Sequence, residues 1–310
     1  MIRTSRATPA RRDQRPFGPG GVSRRCSVVS STPSSGSVFT QATLGAGYDR
    51  AVAGLKDAVR RVLYPAYEHR VVKFLPPDRI PQHIGVMLDG NRRWAKAVGL
   101  DTAGGYQAGA DNIFPLLGWC EEVGVKVVTL WLLSSDNLTN RPPEQLTGLL
   151  EIIEGAVASL AAQRKWRIHP VGALDLLPAR TAERLKAAED ETRDIDGILV
   201  NIAVGYGGRR EIADAVRSLL HEHAARGTSL EDLADLIDAE HIADHLYTKG
   251  QPDPDLVIRT SGEQRLGGFL LWQSANSEFY FCEALWPDFR RVDFLRAIRA
   301  YAERERRFGS

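Results

Sequence analysis

Short, continuously apolar runs alternate with longer helix-periodic stretches along this 310-residue chain, which predicts an α/β fold. The expected architecture is a mostly parallel central sheet covered by helices on both faces. Two observations carry it. Runs such as Lys-Val-Val-Thr-Leu-Trp-Leu-Leu at 126–133 and Ile-Leu-Val-Asn-Ile-Ala-Val at 198–204 lack the polar alternation of a half-exposed strand, as strands buried on both faces do. Most are separated by a stretch long enough for a crossover helix.

Taken in order, Val52, Leu55, Val59, Val62 and Leu63 recur at helical spacing, predicting one or two amphipathic helices between Tyr48 and Leu75, ended by Pro76-Pro77. Strands are expected at 83–88, 126–133, 167–172, 198–204, 255–259 and 279–283. Helices are expected at 105–123, 143–163, 178–192, 208–225, 231–246 and 291–307, with Pro142-Pro143 opening the second. In such sheets ligands bind outside the carboxyl ends of the strands. Those ends carry Asp89, Ser134-Ser135-Asp136-Asn137 and Arg259-Thr260-Ser261-Gly262-Glu263.

Composition sets limits. The net charge of +1 hides a split: residues 1–45 hold seven arginines and one acid, a net of +6, so the remainder carries −5. Nucleic-acid binding by bulk charge is therefore not expected. The first 45 residues, rich in Arg, Ser, Thr, Pro and Gly, read as a disordered tail, leaving 46–310 as a single domain. The tail resembles a transit peptide, but equally a start codon placed too early; a non-functional tail on a cytoplasmic protein is the preferred reading. No apolar stretch approaches the ~20 residues that span a bilayer, so at most peripheral membrane contact is expected. Cys26, Cys120 and Cys282 form no C-x-x-C pair, against a disulfide scaffold or zinc site.

Residues 81–99 are the most informative. An apolar run ends in Asp89, and the chain turns at Gly90-Asn91 into a basic, helix-prone segment. A strand-end carboxylate can hold a divalent metal. Backbone N–H groups at a helix start, with Arg92 and Arg93, suit phosphate oxygens. An Asp here is more often a turn or cap residue. An aspartyl phosphatase is a further reading, although the second Asp such enzymes carry two residues on is Asn91 here.

Ser134-Ser135-Asp136-Asn137-Leu138 reads equally as site or capping loop. Arg259 and Arg265 can clamp phosphate oxygens, and Glu278, in an apolar stretch, needs a partner such as a metal or an arginine. Gly205-Tyr206-Gly207-Gly208-Arg209-Arg210 lacks a nucleotide-loop ending. Close packing of a strand–helix turn is its preferred reading.

Together, His83 through Lys96, Ser134 through Asn137, Asn201 through Gly208 and Asp255 through Phe289 resemble, in this order, the cis-prenyltransferase family, also called isoprenyl transferases or undecaprenyl diphosphate synthase-like enzymes. The likeness covers roughly residues 75–310. It implies Mg2+-dependent condensation of isopentenyl diphosphate with an allylic diphosphate (geranyl or farnesyl), forming a new Z double bond. It further implies that Asp89 binds magnesium and assists departure of the allylic diphosphate, which Gly90, Asn91, Arg92 and Arg93 hold, with Trp94 beside the chain. Arg259 and Arg265 would bind isopentenyl diphosphate, and Glu278 would complete the magnesium site, from the same chain or from a partner in a homodimer. Asn137, near Ser134, falls where the family is assigned proton removal. Tyr106, Ser135, Asp136, Leu138, Arg141, Leu266 and Gly267 fall at substrate-binding positions, and Arg307-Phe308-Gly309 resembles a tail that reaches a neighbouring site.

The sequence departs from the long-chain bacterial pattern at Thr102, Tyr106, Leu138 and Gly267, where Arg, His, Trp and Ser are usual. Similar departures occur in actinobacterial short-chain Z-farnesyl diphosphate synthases. The resemblance implies an apolar tunnel between the sheet and helices near 105–123 and 143–163. Large residues at its floor, among Trp131, Leu132, Leu133, Leu138, Leu149 and Ile153, would stop growth early and give a short product. The alternative is a catalytically silent partner subunit of a heteromeric prenyltransferase.

Overall fold

Six parallel strands form the centre of the computed structural model, in the order β3-β4-β2-β1-β5-β6. The structure describes residues 64–65 and 67–304. The expected tail at 1–45, the helical spacing of Val52 to Leu63 and the Arg307-Phe308-Gly309 motif lie outside them; residues 67–74 are helical.

Strand β1 (His83–Met87) is buried throughout and pairs with both β2 (Val127–Ser134) and β5 (Leu256–Arg259). Strand β3 (Arg167–Val171) pairs with β4 (Leu199–Tyr206), which pairs with β2, while β6 (Glu278–Phe281) forms an edge beside β5. From β1 the chain moves to one side for β2 to β4, then returns past β1 to place β5. The crevice between the ends of β1 and β5 is thus the topological switch point, where open α/β sheets bind ligands.

Side chains alternate between two faces. Ile84, Val86, Val128, Leu130, Val200, Ile202, Leu256 and Ile258 enter the larger core, whereas Met87, Ala203, Val257, Phe269 and Leu270 form a smaller one. The register of β2 against β4 shifts between Trp131 and Leu133. This bulge breaks the alternation, so Leu132 and Leu133 both join the larger core while Trp131 stays on the other side.

Helices α1 (Asn91–Val98), α2 (Thr102–Asp111) and α3 (Ile113–Val123) follow β1. The single helix expected at 105–123 is therefore two. At the break, Asn112 Nδ2 donates to the carbonyls of Trp286 (2.9 Å) and Phe289 (3.0 Å), fastening the corner to a distant turn. After β2 come α4 (Ser135–Asn140) and α5 (Pro143–Ala162), then α6 (Ala179–Thr192) and α7 (Gly208–Ala225). The helix expected at 231–246 is likewise two short ones, α8 (Leu230–Leu236) and α9 (Ala239–Ala243), because Asp238 accepts from His241 N at 2.9 Å and starts a new helix. Helix α10 (Arg291–Glu303) ends the described fold.

Against expectation, α5 is long and apolar enough to cross a membrane by length and composition. Its apolarity is spent on the core instead: Leu149, Leu150, Ile153, Val157 and Leu160 are buried, and its buried Glu154 faces Arg180, Arg184 and Thr181 of α6. At the turn into α7, a Cβ on Gly208 would lie 2.6 Å from the Gly268 carbonyl oxygen, which accepts the Gly208 N–H at 2.9 Å. That glycine permits a close backbone approach, as its motif suggested.

Candidate active site

Asp89 stands two residues beyond the end of β1, and Arg259 is the last residue of β5, paired in register with Met87. Arg259 Nη2 donates to Asp89 Oδ2 at 2.9 Å; the guanidinium is nearly buried, whereas 40% of the Asp89 side chain is exposed. Thr260 fixes the backbone between them. Its hydroxyl oxygen accepts from Asp89 N (3.0 Å), and its proton goes to the Asp89 carbonyl (2.8 Å).

Gly90 makes the turn that follows. Its φ of 109° is left-handed, and a Cβ there would lie 2.9 Å from Leu285 Cδ2, so a side chain is opposed by both conformation and space. Helix α1 then starts at Asn91 without a side-chain cap, which leaves its first N–H groups for a ligand. Asn91 Nδ2 donates to the Leu88 carbonyl at 3.0 Å, tying the helix start to the strand end.

These groups surround a cavity of about 340 Å³ lined by Asp89, Gly90, Asn91, Arg92, Arg93, Tyr106, Ser134, Asn137, Arg141, Arg259, Arg265 and Gly267. Its remaining wall is apolar or aromatic: Met87, Leu88, Trp131, Leu132, Leu133 and Leu149. Size and mixed lining suit a small-molecule site. The charge is strongly positive: five arginines line it against the single carboxylate of Asp89. Glu263 lies behind them, 3.8 Å from Arg93 and 3.5 Å from Arg265.

Buried donors without partners gather here, namely Arg259 Nε, Arg141 Nε and Trp131 Nε1. An unsatisfied buried donor costs roughly 1–3 kcal/mol, and an anionic ligand would relieve that cost. Ser134 serves a structural end as well, since its Oγ accepts from Asn137 N at 3.1 Å and caps α4. Ser134 thus both lines the cavity and caps the helix.

The structure does not bring every expected residue to the cavity. Trp94, Ser135, Asp136, Leu138 and Leu266 are outside its lining. Leu138 turns toward Gly205 and the larger core, Ser135 Oγ sits against Gly207, and Leu266 packs on the smaller core. Asp136 is exposed on α4. Of the expected tunnel floor, Trp131, Leu132, Leu133 and Leu149 line the cavity, and Ile153 lines a hollow behind it.

Glu278 is also elsewhere. It pairs in register with Leu256 at the start of β5, three residues and about 10 Å of strand rise from Arg259. It forms an ion pair with Arg304. One chain alone does not assemble Asp89 and Glu278 into a metal site, and no cluster of three potential ligands exists among the described residues. The donor set still suits magnesium, which keeps several waters and takes one or two carboxylates plus substrate phosphates. Asp89 offers such a carboxylate at the cavity wall, with one oxygen engaged by Arg259.

The sequence alone assigns no role to Thr260 or Glu263. Both belong to the Arg-Thr-Ser-Gly-Glu run at a strand end, so position was the available signal.

A family model described as "Putative undecaprenyl diphosphate synthase" matches residues 87–309. The chain is 63% identical to the (2Z,6E)-farnesyl diphosphate synthase of Thermobifida fusca over 81% of this chain and 98% of that protein. It is 60% identical to isoprenyl transferase 1 of Streptomyces avermitilis (83% and 99% covered) and 50% identical to the short-chain Z-isoprenyl diphosphate synthase of Mycobacterium bovis (81% and 97%). Among solved structures, lavandulyl diphosphate synthase from Lavandula x intermedia, in complex with dimethylallyl diphosphate, superimposes with a TM-score of 0.69 at 33% identity, covering 74% of this chain and 98% of that one. With its switch-point carboxylate and arginine cavity, this chain belongs to the cis-prenyltransferase family.

Proposed function

We propose that the protein is a prenyl-group transferase that condenses isopentenyl diphosphate with an allylic diphosphate, geranyl or farnesyl, releasing diphosphate and forming a short Z-prenyl diphosphate. One observation carries the reading: a single cavity is lined both by five arginines with Asp89 and by leucines with a tryptophan. That mixed lining fits a diphosphate head and an isoprenoid tail.

The residues divide the work. Gly90 and the N–H groups that open α1, with Arg92 and Arg93, hold the allylic diphosphate, stabilising the charge that develops as its C–O bond breaks. Arg259 and Arg265 hold isopentenyl diphosphate so that its terminal alkene faces the allylic carbon. Bound at Asp89, magnesium would neutralise negative charge on the departing diphosphate. A new C–C bond forms, and a proton then leaves the adjacent carbon. Asn137 borders the cavity, but an amide is a poor base; a diphosphate oxygen is the better acceptor, with Asn137 orienting it. The apolar wall shields the electrophilic carbon from water.

A homodimer belongs to the same proposal. Strand β6 is a sheet edge, Phe281 on it is 38% exposed, and Glu278 shares that strand. An interface there would let Glu278 serve a neighbouring site. The relatives' names support an enzyme of isoprenoid biosynthesis, and a cytoplasmic location is part of the same proposal. The silent-subunit alternative is disfavoured because Asp89, Arg93, Arg259 and Arg265 are all present around one cavity.

The test is incubation with labelled isopentenyl diphosphate, magnesium and each of geranyl, farnesyl and geranylgeranyl diphosphate, followed by product-length measurement. One short Z-product that disappears without magnesium is expected. No condensation with any primer would overturn the assignment.

A further inference from the structure

We propose that Tyr106 is the partition that sets product length, and that its hydroxyl couples this partition to the anion-binding end of the cavity through Arg141. The inference rests on the condensation reading above.

Behind the main cavity lies a hollow of about 30 Å³. The two spaces share Leu88, Asn91, Tyr106, Leu132 and Leu149, so these side chains form the wall between them. Tyr106, on α2 and only 7% exposed, is the largest of the five. The hollow in turn shares Ala110 and Ile152 with a surface groove of about 480 Å³ between α2 and α5. Three spaces therefore lie in series from the arginine cluster to the surface. The first wall contains an aromatic ring. The second, at the points the two spaces share, is an alanine and an isoleucine, and the groove beyond includes Gly148, Gly155 and Ala156.

Tyr106 also faces the polar end. Arg141 Nη1 donates to its hydroxyl, and the Arg141 guanidinium carbon lies 5.4 Å from the ring centroid. Arg141 itself lines the cavity and keeps a buried Nε without a partner. A diphosphate that engages Arg141 would fix the ring from above, so the chain's far end meets a wall held by the head group's own contact. Because the hollow and the groove meet at Ala110 and Ile152, with no further aromatic ring between them, loss of the Tyr106 ring would not merely allow one more unit. It would open a path to the surface groove.

Tyr106→Ala and Tyr106→Phe separate the two roles. With labelled isopentenyl diphosphate, Tyr106→Ala is expected to extend products by two or more five-carbon units, spread over several lengths. Tyr106→Phe keeps the ring and should keep the wild-type length, while the KM for the diphosphates rises about tenfold through loss of the tether to Arg141. Wild-type product length from Tyr106→Ala would overturn the partition, and an unchanged KM in Tyr106→Phe would overturn the coupling. Should Tyr106→Ala not fold, Tyr106→Leu reads the same wall.

A second measurement needs no turnover: equilibrium binding of geranyl, farnesyl and geranylgeranyl thiodiphosphates. The ring-less variant should shift its preference to longer chains. The same length dependence in wild type and variant would refute the partition. Failure of the wild type to condense any primer would instead refute the reaction and leave the binding comparison to decide the partition.

Discussion

Acid should unfold this protein partly through one buried imidazole far from the catalytic end. His83 opens β1, is 1% exposed and sits between two fixed partners. Its Nδ1 lies 2.7 Å from the Pro252 carbonyl, which can only accept, so Nδ1 carries the proton. Nε2, 2.8 Å from Thr129 Oγ1, then accepts the threonine proton, and Thr129 accepts in turn from Asn201 Nδ2 at 2.9 Å. Protonating Nε2 would strand the threonine hydrogen and bury a charge. Burial accordingly lowers the imidazole from 6.5 to about 4, despite opposing pulls from the Pro252 carbonyl and Asp255. Below pH 6.5 the unfolded chain binds a proton that the folded one refuses. The contribution is therefore complete above pH 6.5 and is lost as pH falls to about 4. The gap of about two and a half pH units corresponds to about 3 kcal/mol, or roughly 6–12 °C in melting temperature for a chain of this size. The assay is urea unfolding of wild type and His83→Gln at intervals from pH 7.5 to 4.5. Glutamine can both donate to Pro252 and accept from Thr129, and it does not titrate. The variant should start less stable and vary less with pH, so the difference between the curves shrinks by roughly 2.5 kcal/mol between pH 7.5 and 4.5. Subtraction removes the carboxylates and the other histidines, which titrate in both proteins. Parallel curves would refute the reasoning.

Two further outcomes follow from the geometry. Asp89→Asn keeps an oxygen able to accept from Arg259 at a partly exposed site, so unfolding free energy should change by at most about 1 kcal/mol while turnover falls at least about 10²-fold; steady-state rates beside a melting curve check both. Glu211→Gln should destabilise by roughly 1–3 kcal/mol, read as a lower urea midpoint. That buried carboxylate, whose pKa burial raises, accepts from the Tyr206 hydroxyl (2.5 Å), Tyr247 N (3.0 Å) and Gln273 Nε2 (3.0 Å), and an amide cannot accept from all three.

What the sequence disclosed, and what it withheld, follows from how far each determinant reaches along the chain. Strand identity is local, because a run such as Ile198–Val204 must be buried wherever it sits, and all six strands appear within two residues of expectation. The polar end of the site was legible for a related reason. In a parallel sheet every strand end points the same way, so Asp89, Ser134 and Arg259 must gather once the strands are found. Helix breaks were less legible: Asn112 ends α2 through carbonyls at Trp286 and Phe289, more than 170 residues away. Asp238, by contrast, was a readable cap that the longer apolar period concealed.

The apolar end of the site resisted for a deeper reason. A strand assigns faces by parity, yet the bulge in β2 turns Leu132 and Leu133 to the same side, and nothing local in Trp-Leu-Leu-Ser announces it. Register rather than parity governs Glu278. Its sequence neighbourhood suggested a metal, but its register with Leu256 places it at the foot of the sheet, opposite the end where Asp89 stands. A carboxylate at the wrong end of a parallel strand cannot reach the switch point by side-chain rotation. Any role it has in catalysis must therefore come through a second copy of the chain, and the edge position of β6 leaves that route geometrically open.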